Sequence, residues 1–216
     1  MDRRTFLAST MVVAASAAFP GMATAQSKDI VLPHPQTSGG MPLMEALKER
    51  HSTRTFEPKP LEPQVLSNLL WAAWGQNRAD GKRTAPSCRN WQETSVYAAL
   101  PEGLYLYDAA AHALKLIKAK DLRAMTGKQD FPATAPLDLI YVVDFAKMPN
   151  MSTEERLLYG GADSGSIFQN VYLSCAAQGL VTVVRANVDK PALAKEMGLG
   201  SEQMITLSQT VGYPKS

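Results

Sequence analysis

Cysteine and histidine are scarce in this chain, and the scarcity removes whole classes of chemistry. Two cysteines, Cys88 and Cys175, and three histidines, His34, His51 and His112, are spread over 216 residues. None falls in a CxxC pair or at the spacing of metal ligands, which leaves a zinc site without support. Two thiols say nothing about their separation, so pairing stays open: Cys88 lies in a polar loop and Cys175 on the apolar face of an expected helix. No GxGxxG follows a strand-like run, which counts against a doubly wound dinucleotide-binding domain. Repeats and low-complexity blocks are absent as well. A formal charge of +2 provides no electrostatic footprint for nucleic acid.

What is present begins with a leader of different character. Asp2-Arg3-Arg4-Thr5-Phe6-Leu7 precedes an apolar, alanine-rich run to about Phe19, and Ala23-Thr24-Ala25 has the small-x-small form of a cleavage site. The paired arginines match a twin-arginine export signal over residues 1–25, with a general secretory signal as the other reading. The run is too short, and broken by Pro20, for stable membrane insertion. Without the leader the chain keeps 20 basic and 19 acidic residues and is nearly neutral. The expected address is periplasmic or otherwise extracytoplasmic, reached through the twin-arginine machinery. That route carries folded cargo, often with a cofactor aboard, to a place without a soluble nicotinamide pool.

Residues 26–40 are polar, with Pro33, Pro35, Gly39 and Gly40, and read as a flexible arm; residues 41–216 read as one domain. Helical spacing appears over 41–50 (Leu43, Met44, Leu47) and about 62–77 (Val65, Leu66, Leu69, Leu70, Ala73, Trp74). A loop covers 78–94. Strands are expected at 95–100, then at 103–108 and 113–119 as a hairpin, and at 135–145 as a buried strand. Ser152-Thr153-Glu154-Glu155 is a capping box that opens a long helix, with Leu157, Leu158, Ile167, Phe168, Val171, Tyr172 and Cys175 on its apolar side and Gly179 at its stop. A strand at 181–184, a helix at 191–197 and a strand at 204–212 complete an α+β pattern without regular βαβ alternation. Gly160, Gly161, Ala162, Ser164, Gly165 and Ser166 need a reason to sit in a helix, since each interior glycine costs about 1 kcal/mol relative to alanine. Either a partner helix or a ligand approaches there, or the helix begins near Ser164. Trp71, Trp74, Tyr105 and Tyr107 read as core packing.

The segment Arg50-His51-Ser52-Thr53-Arg54-Thr55-Phe56 brackets a helix end with two guanidinium groups and a hydroxyl. Such a set can hold a phosphate monoester, guanidinium by bidentate donation and serine by a third donor; on the residues alone it also fits a solvated charged loop. No acid, base or nucleophile stands out.

Four segments in order resemble the nitroreductase superfamily of FMN-dependent flavoproteins. They are Arg50–Phe56, the Pro86-Ser87-Cys88-Arg89-Asn90-Trp91-Gln92 loop, the Gly165–Gly179 helix with Gln169-Asn170, and Val211-Gly212-Tyr213-Pro214. Leu69–Ala73, Arg83–Ser87 and Gly103–Asp108 look most like its SagB-type dehydrogenase branch. The resemblance implies an α+β, nitroreductase-like fold, with a central, mostly antiparallel sheet flanked by helices. It also implies an intertwined homodimer with FMN at the subunit interface. Arg50, His51, Ser52 and Arg54 would hold the phosphate. Pro86, Ser87 and Asn90, with Arg89 and Gln92, would approach the flavin from the partner subunit. Ala186 and Asn187 would offer a backbone N–H toward flavin N5, where many relatives have Glu-Gly. The chain ends at Lys215-Ser216, short of the basic residues that return to the phosphate in many relatives, so weaker FMN retention is expected. The implied activity is ping-pong transfer of hydride or electrons to a small-molecule substrate, in which the cofactor carries the chemistry. A flavin-free accessory or binding protein on the same fold is the alternative.

Overall fold

Alternation of side chains across β-strands builds the centre of the molecule. The computed structural model describes residues 28–215; the leader, with Arg3, Arg4 and the cleavage site, lies outside them. In chain order the strands and α-helices are β1 (Ile30–Val31), α1 (Leu43–Glu49), β2 (Phe56–Glu57), α2 (Pro63–Trp74), β3 (Thr94–Leu100), β4 (Gly103–Asp108), β5 (Ala113–Lys118), β6 (Leu137–Asp144), α3 (Thr153–Ala177), β7 (Val181–Arg185), α4 (Lys190–Met197) and β8 (Gln203–Pro214). The strands form one sheet in the order β1-β5-β4-β3-β6-β8-β2, with β7 also on β8. Every pairing among them is antiparallel. The fold is α+β, as expected.

Two apolar layers follow from the period of two. From β3 and β6, Val96, Ala98, Leu100, Leu137, Leu139 and Tyr141 face α2 and α3. Their neighbours Tyr97, Ala99, Ile140 and Val142 face the other way, toward Leu122 and the α4 residues Leu193 and Met197. Both faces of β6 are therefore covered, which explains its near-continuous apolar run. Trp74, Tyr105 and Tyr107 are buried in the first layer.

Three expectations need correction. The polar 26–40 segment is docked in its described part: β1 pairs with β5, Leu32 is buried, and Ser67 Oγ donates to the Pro33 carbonyl at 2.6 Å. Prolines and polar residues hid it, because backbone pairing needs no apolar period. Helix α3 runs unbroken through its glycines. A Cβ at Gly160 would stand 2.9 Å from Val143 Cγ1, so close packing on β6 accounts for that glycine, whereas Gly161 faces open space. Finally, Leu157 and Leu158 on α3 are exposed, as are Leu43, Met44 and Leu47 on α1. The capping box is complete, with Ser152 Oγ accepting from Glu155 N and Glu155 accepting from Ser152 N.

Candidate functional site

Helix α1 ends at Arg50, whose N–H closes the last turn on the Ala46 carbonyl and whose ψ of 116° turns the chain outward. The emerging segment lies along β7: Thr53 N–H donates to the Thr182 carbonyl at 3.0 Å. Beneath it, α3 presents Tyr172. The Arg50 guanidinium lies 5.2 Å from the centre of that ring, and Ser52 Oγ is 2.8 Å from the Tyr172 hydroxyl. The same hydroxyl accepts the Val184 N–H of β7 at 3.0 Å. Arg50, His51, Tyr172 and Thr182 border a cavity of about 280 Å³. His51 turns back to the Glu49 carbonyl, and Arg54 is exposed and does not border the cavity. Just beyond, Phe56 pairs with Pro214 and Glu57 with Tyr213, so two of the sequence motifs lie side by side. Gly212 is required there: a Cβ would stand 2.9 Å from Pro136 and 3.3 Å from Phe56.

Ala186 and Asn187 follow β7 directly and are exposed. A buried ionic node behind them fixes the strand end. Arg185 donates to Asp138 and Thr210 at 2.7 Å each, and to the Thr126 carbonyl at 2.7 Å, with its guanidinium 5.4 Å from the Phe131 ring centre. Burial pushes the Asp138 carboxyl up to about 7 against the pull of Arg185, and the same burial lowers Arg185. Lys128 N–H then holds the Asn187 carbonyl at 3.0 Å.

The loop of Pro86, Ser87 and Asn90 stands elsewhere. It is anchored on α3 at Asp163, whose carboxylate accepts the Cys88 N–H at 2.8 Å. Asp163 precedes Tyr172 by nine helical positions, about 14 Å along the axis at 1.5 Å per residue. The loop carries left-handed backbone at Arg89, Asn90 and Gln92, with φ of 50°, 55° and 49°, an uncommon run for non-glycine residues. Ser87 Oγ accepts the Gln92 N–H at 3.0 Å, and the Gln92 side chain bridges Arg83 and the Gly81 carbonyl. Gln92 is thereby a brace of the loop. Behind it, Glu93 is fully buried; burial and the adjacent Asp163 raise its carboxyl to about 7, and its Oε2 has no hydrogen-bond donor among the described residues.

Within one chain, the Arg50–Arg54 segment and Ala186-Asn187 are joined through β7, while Pro86, Ser87 and Asn90 are set apart along α3. Sequence reasoning missed Tyr172, Asp163 and Glu93. Tyr172 was counted only toward an apolar stripe, though its hydroxyl needs a partner when buried. Asp163 offered a sharper signal, a carboxylate in the small-residue half of a helix. Among the described residues no group of three or more His, Cys, Asp or Glu is placed to hold a metal ion, and no helix is long and apolar enough to cross a membrane.

Comparison with known proteins adds a family model described as the nitroreductase family, which matches residues 47–213. A candidate nitroreductase of Methanocaldococcus jannaschii is 29% identical over 151 residues, 65% of this chain and 76% of that protein. The crystal structure of a candidate nitroreductase from Ralstonia eutropha is 45% identical, with a TM-score of 0.84 over 88% of this chain and 91% of that one. The E. coli microcin synthetase McbBCD complex matches at 19% identity and a TM-score of 0.67, over 99% of this chain and 85% of that one, and shares the fold alone.

Proposed function

Because the chain belongs to the nitroreductase family, we propose that this oxidoreductase depends on FMN, held by its phosphate at the end of α1. The observation that carries the reading is the Arg50 guanidinium at the rim of the cavity, with the Ser52 hydroxyl beside it and Arg54 two residues on. These are the donors a phosphate monoester needs, and among the described residues no carboxylate shares a hydrogen bond with Ser52. Ala186-Asn187, fixed by the Arg185 node and Lys128, would present backbone to the flavin ring. Bound there, FMN would supply the hydride or electron transfer that no side chain of the site performs.

The site is read as one shared between two copies of the chain. Separation of the Pro86–Asn90 loop from Arg50 within a chain supports this, as do the exposed apolar faces of α1 and α3, which a second copy would cover. The reaction is read as ping-pong: one substrate gives up electrons and departs before a small organic acceptor enters. A nitroaromatic, a quinone or a substrate of the SagB-type branch would serve. Export by the twin-arginine route to an extracytoplasmic address rests on Arg3-Arg4. Unchanged export of an Arg3→Lys/Arg4→Lys precursor, seen by cell fractionation, would remove that part.

Protein purified with added FMN should be yellow, and Arg50→Ala/Arg54→Ala should lose most of the flavin while melting at an unchanged temperature without it. Full retention by the double variant would sink the phosphate reading. Colourless wild-type protein that takes up no FMN would instead favour an accessory role, the reading suggested by Ala186-Asn187 standing where many relatives carry Glu-Gly.

A further inference from the structure

We infer that Tyr172 is the positioning residue of this phosphate subsite, fixing Ser52 as an outward-facing donor and holding Arg50 over its ring; the inference rests on the FMN reading above. Proton accounting carries the first half. A phenol has one proton and two lone pairs. The Val184 N–H occupies one lone pair of Tyr172 Oη, at 3.0 Å. Ser52 Oγ, 2.8 Å away, is the other partner of that oxygen among the described residues, and Tyr172 is 5% exposed. If Ser52 donated, the Tyr172 proton would have no acceptor among the described residues, a costly state for a hydroxyl on a side chain this buried. The satisfied arrangement runs from Val184 N–H to Tyr172 O–H to Ser52 Oγ, and leaves the serine proton to a ligand. A phosphate ester at neutral pH offers acceptors, so a serine held in the donor sense suits it.

Geometry carries the second half. The Tyr172 ring is braced edge-on by Phe168, with centroids 6.4 Å apart at 76°, and the Arg50 guanidinium sits 5.2 Å from its centre. A planar cation gains from an aromatic face while its N–H groups remain available at the edge. Thr53 N–H on the Thr182 carbonyl and Tyr172 on the Val184 N–H then dock the whole Arg50–Thr53 segment on the outer edge of β7.

The experiment compares binding of FMN with binding of riboflavin, which lacks the phosphate, by flavin fluorescence on the purified protein. Wild type should prefer FMN. Tyr172→Phe should weaken FMN by about five-fold, the worth of one hydrogen bond, and leave riboflavin unchanged. Ser52→Ala should do the same, and the double variant should lose no more than either single, because Tyr172 acts through Ser52. A general structural role would weaken both flavins and add to the loss from Ser52→Ala. Should Tyr172→Phe fail to fold, Phe168→Leu leaves the tyrosine and both donors in place and removes the edge that braces its ring: the preference should fall by about three-fold. Preference for FMN that survives Tyr172→Phe, or Phe168→Leu, overturns the inference while the FMN reading stands. Wild type that binds neither flavin, or both equally, overturns the reading itself and the inference with it.

Discussion

The two ends of the sheet's helical face bury polar groups in opposite ways. At one end His112, in the β4–β5 turn, joins Ser67 of α2 and Tyr107 of β4. His112 Nε2 lies 2.7 Å from Ser67 Oγ, Nδ1 lies 2.9 Å from the Tyr107 hydroxyl, and Ser67 donates onward to the Pro33 carbonyl. One tautomer satisfies the chain: Nε2–H donates to Ser67 and Nδ1 accepts from Tyr107. Burial lowers the His112 pKa, in keeping with a neutral ring. At the other end Glu93 and Asp163 stand together, and Glu93 Oε2 lacks a hydrogen-bond donor among the described residues. Thr94 Oγ1 and the Cys88 N–H supply one donor to each carboxyl, and burial beside Asp163 favours the protonated form of Glu93. The satisfied relay fastens an arm to the body. The acidic pair stands behind the Pro86–Asn90 loop, and there the fold tolerates a cost.

Removing the hub of the relay should produce the largest effect. His112→Ala leaves the buried Tyr107 hydroxyl without its acceptor and Ser67 with the Pro33 carbonyl alone, and should destabilise the protein by about 3 kcal/mol in urea unfolding; a loss below about 1 kcal/mol would show the two ends to be alike. The second test reverses sign. Glu93 holds its proton more tightly folded than unfolded, so its contribution is full below about pH 4.5 and is lost as pH rises through about 7. Glu93→Gln should therefore stabilise the protein by about 2 kcal/mol at pH 8 and hardly at all at pH 4. Melting temperatures across that range would show a flatter profile in the variant, and an unchanged slope would break the contrast. The smallest effect is expected from Tyr107→Phe, about 1 kcal/mol for one hydrogen bond. His112 contributes in the other direction from Glu93: its stabilisation is present above its ordinary pKa of 6.5 and fades as pH falls below it. Tyr107→Phe should soften that acid-side loss, which the same melting series records.

How much of this was readable from the residues depended on whether a segment's structure is written in its own side chains. Strands β3 to β8, helices α2 to α4 and the Ser152–Glu155 cap carry their periods and caps locally, and expected boundaries fell close to the observed ones. Strands β1 and β2 have two residues each, too few for any period, and exist through backbone pairing with distant partners. The same division holds at the site. Arg50, Ser52 and Arg54 stood out by type and spacing, and the fold brings Arg50 and Ser52 to Tyr172 while Arg54 stays exposed and off the cavity. What Tyr172 does depends on Val184 N–H and Ser52 meeting at one oxygen, 12 and 120 positions away in the chain. The left-handed backbone at Arg89, Asn90 and Gln92 had no herald either, since only Asn among these favours that region.

The pairing of Phe56 with Pro214 sets a timetable. The segment of Arg50 and Ser52 is translated well before the strand edges that seat it, those of β7 and β8. A nascent chain thus carries Arg50 and Ser52 unseated until α3, β7 and β8 have been made, so this segment takes its place late in folding.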